Sequence, residues 1–465
     1  MRLNRKTVST WASMLVLVAA AFGGVVVLAG GAAASGGPCG IVVSGENVAH
    51  NALQTAISAA HAGQTICVRA GVYPEQIVVS TPNLKIVGAG VGLTVIDPAN
   101  GTVNTVDWDS AASPHSPESS LYPVIAVVLV DNVSGVVLKH LTVNAAGAAA
   151  SIGGCSPGIA AVDFQNVSSG KLVQASVENA KLSPALLGCQ FQLGVYVYTG
   201  YYETGFTPAG ATVIVRGTSI SNYGKGGVVC NDPGLTCKVT GDTVTGIGET
   251  AAIGQNGIQV AFGALGLITN DHVSGNAYDG SNGDYATVAD DNDFFGNGTS
   301  VGGVLLYLAA SGTRVAGCTF VNNQIGVLAF GDALDQIRHN TVTNSYAYGI
   351  ADYGAPGAIS HIVGNTVSNP TTGAIGILVA NGTFYVTGNY LSYTSLTGDQ
   401  GASQAVTGPG TFYPAYPATS VATAAVQAIS DGALTHVYLT GNHDSHDSSR
   451  SASVAVFDGM VVITT

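Results

Sequence analysis

Beyond residue 135 the chain alternates apolar and polar side chains in short runs: "LTVNA", "TSISNY", "DTVTGI", "DHVSGN", "CTFVNNQ", "NTVTNSY", "NTVSNP" and "NYLSYT". A period of two belongs to pleated strands, not helices. The runs end on Asn, Gly or Asp, residues that turn the chain, and lead into Gly plus another apolar run. The central apolar residues are Ile220, Val244, Val273, Phe294, Phe320, Val342, Val367 and Leu391, a recurrence of about 24 residues. A unit of that length holds about three short strands and closes one coil of a solenoid, each coil bonding in parallel to the next at about 4.8 Å. About a dozen coils are expected, with Val, Ile, Leu and Phe stacked inside and turn asparagines stacked at corners in left-handed backbone.

Upstream, "HAGQTICVRAGVYPEQIVVS" (61–80) reads as a buried strand, a tight turn at Ala70-Gly71 and a second strand. Before it, "NALQTAISAA" places Ala52, Leu53, Ala56, Ile57 and Ala60 on one helical face. Together these stretches resemble the N-terminal entry of right-handed parallel β-helix proteins, the superfamily of pectate lyases, pectin methylesterases and periplasmic NosD-like proteins. The resemblance implies an all-β fold, a right-handed parallel β-helix solenoid with a short N-terminal capping helix that covers otherwise exposed strand edges. It is specific in residues 50–97 and extends in repeat style over 36–465. Polar, Pro/Ser/Gly-rich insertions break the rhythm near 99–123 and 395–433. It carries architecture far better than activity.

Residues 1–35 begin with Arg2, Arg5 and Lys6, continue with an apolar run and end in small residues, the order of a secretory signal. The run from about Ala12 to Ala34 approaches the roughly 20 residues that span a bilayer, so an uncleaved anchor is the alternative and the only route to a membrane. Either way the protein is expected to be secreted or held at the cell surface, where cysteines pair. Nearness pairs Cys39 with Cys67, Cys155 with Cys189 and Cys230 with Cys237, leaving Cys318. Beyond residue 35 only 11 Lys and Arg face 27 Asp and Glu. Nucleic acid is an unsuitable partner, and polyanionic glycans would be repelled unless a divalent cation bridged the carboxylates.

Enzymes of this fold work on an outward sheet face. Aligning the Gly-aliphatic strand starts (Gly158, Gly194, Gly227, Gly257, Gly303, Gly326, Gly349, Gly376) puts Ala160, Val162, Tyr196, Tyr198, Asn231, Tyr307, Phe330 and Tyr353 on that face, which reads as aromatic and amide-rich without a carboxylate. A glycosidase needs two carboxyls roughly 5–9.5 Å apart. Acids fall instead just past strand ends, at Asp163, Asp232, Asp290 and Asp332, with Asp352 inside a strand. Asp also terminates strands for local reasons, by bonding turn backbone. The "GVYPE" of Gly71 to Glu75 resembles an early pectin methylesterase motif, but the later active-site segments of that family have no counterpart. Resemblance to polysaccharide lyases implies a Ca²⁺ site and a basic residue; Arg216, Lys225, Arg314 and Arg338 are in range, none in a recognisable motif. A calcium site is expected, if anywhere, among Asp284, Asp290, Asp291 and Asp293, while His443 and His446 suit a metal only loosely. Tyr196, Tyr198, Tyr201 and Tyr202, with Tyr307, Phe330 and Tyr353, form a candidate platform for sugar rings. Two functions follow: a surface β-helix that binds a polysaccharide and could cleave it, or a structural, adhesive surface protein whose aromatic face is covered.

Overall fold

The computed structural model describes residues 39–44, 51–98, 124–199, 210–278, 301–331, 335–346, 348–369, 375–393, 426–429, 434–444, 454–457 and 461–464. Three strands recur in each turn of chain. Gly226–Asn231, Leu235–Thr240 and Thr243–Thr250 pair in parallel with their successors Asn256–Ala261, Leu265–Thr269 and His272–Tyr278. These three stacks are here the front, flank and short sheets. Among the described residues the short sheet has 12 strands; front and flank merge into one 24-stranded sheet, because Tyr348–Val363 and Ile375–Thr387 round the corner unbroken.

Between the sheets lies one continuous core. Front-sheet Val195, Val228, Ile258, Val304, Val327, Ile350 and Ile377 stack on one another with no exposed surface. Each such side chain contributes about 1.5–3 kcal/mol by leaving water. Opposite them, Val143, Val177, Ile220, Val244, Val273, Phe320, Val342, Val367 and Leu391 form the short-sheet row. Val273 pairs directly with Phe320; Phe294, which the repeat count includes, lies outside the described residues. The glycine preceding each front-sheet aliphatic is required by close approach: a Cβ on Gly326 would lie 2.6 Å from both Gly349 O and Val342 Cγ1. The repeated Gly-aliphatic pair is thus the point where the front and short sheets touch.

Turn chemistry follows from side chains that tolerate left-handed backbone. Asn132, Asn166, Asn222, Asn270, Asn322 and Asn344 all have φ between 52° and 57°. At the flank-to-short corner Asn340, Asn365, Asn389 and Asn442 stack, the Oδ1 of Asn365, Asn389 and Asn442 each accepting hydrogen bonds from the backbone N–H and the Nδ2 of the asparagine below. Cys318 fills the rung beneath them, its N–H donating to Asn340 Oδ1, and is a free, buried thiol. The other six cysteines are joined as Cys39–Cys67, Cys155–Cys189 and Cys230–Cys237, the pairing that nearness indicates.

At the N-terminal end the helix Ala52–Ala59 buries Ala52, Leu53, Ala56 and Ile57 against the first coils. Asn51 gives it no side-chain cap. Glu75 does instead, its carboxylate accepting the N–H groups of Leu53 and Gln54 at 2.8 Å each, where a negative charge also meets the positive end of the helix dipole. The "GVYPE" glutamate is therefore a cap. The stretch 61–80, read as two strands, holds three: Thr65–Val68, Gly71–Tyr73 and Ile77–Val79, one per sheet. Pro74 has no N–H to donate to a ladder and separates the last two.

Candidate functional site

Residue pairing corrects the outward face of the front sheet. Val162, not Ala160, pairs with Val195, so the strand Gly158–Gln165 is shifted relative to its Gly-Ile start. Val162 points into the core, and Asp163 pairs with Tyr196 on the outward row. The face therefore does carry a carboxylate, inside a strand and not past its end. The signal that finds it is the second apolar pair, Ala161-Val162, which matches Gly194-Val195 better than Gly158-Ile159 does. Asp352, in contrast, shares a row with Ala329 and Val379 and faces inward.

Asp232 follows the strand end as read, in left-handed backbone, and its carboxylate accepts the Thr199 N–H at 3.1 Å. Asp163 and Asp232 stand two coils apart along the axis, about 10 Å, and are further offset along the strand, which is wider than the separation glycoside hydrolysis uses. Asp284, Asp290, Asp291, Asp293, Asp332, Tyr201 and Tyr202 lie outside the described residues. Arg216 and Arg314 are exposed on the flank sheet, away from the front-sheet acids. Lys225 is buried, donating from Nζ to Gly254 O at 2.7 Å, and burial lowers its ammonium to about 7.

The aromatic rows are present, but they are largely withdrawn from water. Tyr196 and Tyr198 stack at 4.9 Å, and Tyr307, Phe330 and Tyr353 follow one another at 5.7 and 6.2 Å between rings. Tyr198 is 4% and Tyr353 7% exposed, and the aliphatic neighbours Leu305, Leu328, Ala351 and Leu378 are buried beside them. Burial also pushes the phenol of Tyr348, on the same face, up to about 12. An open sugar platform on the front sheet, expected from sequence, is not what these rings form.

The flank sheet presents a different outer face. Its central outward row runs Lys85, Val137, Lys171, Ile214, Lys238, Leu267, Arg314, Gln336, His361, Tyr385, Tyr438, one residue per coil. The four Lys and Arg side chains of this row are exposed, as is Tyr385. At the C-terminal end His361, Tyr385 and Tyr438 stack at 5.0 and 4.9 Å with nearly parallel rings. The next outward row contains Lys139, Arg216 and Arg338 among Thr240, Thr269, Thr387 and Thr440. Sequence reasoning missed this surface because its residues lie one per coil, scattered over hundreds of positions.

Below this face, the flank-to-short corner continues the amide ladder with acids. Asp242 accepts the Thr218 N–H at 2.6 Å and Asp271 accepts the Asp242 N–H at 2.7 Å. Burial raises each carboxyl to about 7, and for Asp271 the neighbouring Asp242 adds to the rise. Desolvation, with the Asp271 charge, likewise holds the Cys318 thiol at about 12, far from a reactive thiolate.

Among the described residues no group of three or more potential ligands gathers to hold a metal ion, and no helix is long and apolar enough to cross a membrane; residues 1–35 lie outside them. No curated protein matches the chain by sequence. A family described as right handed beta helix region matches residues 209–367. Similar solved structures include the mannuronan C-5 epimerase A-module of Azotobacter vinelandii, at 14% identity over 91% of this chain and 98% of that one with a TM-score of 0.44. A double mutant of the periplasmic alginate epimerase AlgG shares 13% identity over 86% and 77% (TM-score 0.42), and an alginate lyase from Paenibacillus sp. 14% over 71% and 96% (TM-score 0.37). The parallel coils, with that match over residues 209–367, give this chain a right-handed parallel β-helix fold.

Proposed function

We propose that the protein is an exported β-helix that binds a polysaccharide on its flank sheet, without cleaving it. The observation that carries this reading is the run of stacked rings His361, Tyr385 and Tyr438 on an accessible outward row. Parallel rings one coil apart offer a flat apolar strip about 10 Å long, onto which the C–H faces of successive sugars stack, while the tyrosine hydroxyls supply hydrogen bonds. Threonines of the next row, Thr387 and Thr440, add hydroxyls beside the strip. The disulfides support an oxidising compartment outside the cytoplasm.

Binding is favoured over catalysis because Asp163 is wholly buried, Asp352 faces the core and Asp232 is engaged by backbone. The test is a glycan array with a parallel product assay on the purified chain. Retention of a polysaccharide, weakened by Tyr385→Ala and with no shortened or unsaturated products, is the expected result. Product formation, or retention indifferent to Tyr385→Ala and Tyr438→Ala, would overturn it.

A further inference from the structure

Seven of the 11 Lys and Arg that follow residue 35 stand on two neighbouring outward rows of the flank sheet: Lys85, Lys171, Lys238 and Arg314 on one, Lys139, Arg216 and Arg338 on the other. No carboxylate shares either row among the described residues. A chain with a formal charge of −13 has thus sorted its few cations onto one face. Their order is regular. The central row is basic on every second coil, and its intervening members Val137, Ile214 and Leu267 are aliphatic. The cations of the second row fall on coils between those of the first: Lys139 on the strand of Val137, Arg216 on that of Ile214 and Arg338 on that of Gln336, while the strand of Leu267 has Thr269 in that place. Seven of the eight coils from Lys85 to Arg338 thus carry one cation, the coil of Leu267 and Thr269 none, and the alternation between two edges makes a zigzag with a step of about 4.8 Å.

We infer that this face binds a linear acidic polysaccharide laid parallel to the solenoid axis, its acid groups alternating between the two edges of the chain. The inference rests on the polysaccharide-binding reading above and names its ligand. In an extended 1→4-linked sugar ribbon each residue is flipped relative to the last, so that carboxylates project alternately left and right, and the advance per sugar is close to one coil. The two rows meet those two edges, the aliphatic members lie under the ring C–H groups, and the ring stack from His361 to Tyr438 receives the end of the chain. A net negative protein accepts such a polymer because exposed charges more than about 8 Å away are screened at physiological salt, while the face itself is locally positive.

The test is titration of the full chain with β-1,4-linked oligomannuronate, with neutral β-1,4-linked mannooligosaccharide of equal length and with vesicles containing phosphatidylserine. The acidic oligomer should bind more tightly than the neutral one and weaken as salt rises. The combined variant Lys171→Gln, Lys238→Gln, Arg314→Gln should weaken it about tenfold, three weak exposed ion pairs together, whereas Lys181→Gln should leave it unchanged. Circular dichroism would establish that the variants keep the fold. Equal binding of both oligomers, unaffected by the triple variant, would overturn the acidic ligand and leave polysaccharide binding standing. Failure of every glycan would remove both readings. Binding to the vesicles in place of the glycans would make the face a membrane-docking surface and overturn the inference.

Discussion

Leu328 on the front sheet and Leu267 on the flank sheet both point outward from the coil stack, yet Leu328 has no exposed surface and Leu267 is half-buried. The contrast holds along both faces. Front-sheet outward rows pack Leu305, Leu328, Ala351 and Leu378 with aromatic neighbours into a second apolar cluster, separate from the main core. Flank-sheet outward rows alternate cations, short aliphatics and threonines in contact with water. One backbone geometry therefore supports an internal layer on one side and a water-exposed charged surface on the other, and side-chain choice per coil decides which.

The sharpest way to break that comparison is truncation at equivalent positions. Leu328→Ala should cost about 2–5 kcal/mol in denaturant unfolding, as a core leucine does. A cost below about 1 kcal/mol would mean that the front face is not packed. Next in size is a pH effect at the corner between flank and short sheets. Asp242 and Asp271 are raised to about 7 in the fold, above the ordinary carboxylate value of about 3.9. The folded state therefore holds these protons more tightly than the unfolded chain does. The stability they contribute is complete below about pH 4 and is lost as pH rises through 7. Asp271→Asn, which continues the asparagine ladder, should flatten the melting-temperature profile between pH 4 and 8 and stabilise the chain at pH 8 by roughly 2 kcal/mol. An unchanged slope would place the acid dependence elsewhere.

Smaller again is the effect on ligand. Tyr385→Ala should weaken polysaccharide binding by about 0.5–1.5 kcal/mol with little change in melting temperature, whereas the buried Tyr353→Ala should lower the melting temperature first. The reverse pattern, measured by titration and by thermal unfolding, would exchange the roles assigned to the two faces. Smallest is Leu267→Ala, expected to shift stability by no more than about 1 kcal/mol.

The sequence made the coil architecture legible because its cues are local. Two-residue alternation, asparagines at left-handed turns and the Gly-aliphatic start each sit within a few residues, and each recurs. Register was less visible. Gly158-Ile159 and Ala161-Val162 both fit the strand-start pattern, and only the pairing of Val162 with Val195 shows that Asp163 belongs to the outward row. Spacing alone counts Phe294 as a repeat, a residue outside those described, while pairing shows Val273 and Phe320 as direct neighbours. The flank face was the least visible of all. Net charge argues against an acidic ligand, and only stacking reveals that Lys85, Lys171, Lys238 and Arg314 lie on one line.

The zigzag of cations also gives the solenoid a parity. Deleting or duplicating a single turn between Lys85 and Lys238 would exchange odd for even beyond the splice, setting two like charges side by side on one row. Removing or adding two turns restores the sequence of left and right. In this part of the molecule the length of the rod can change without spoiling its charge pattern only in steps of two.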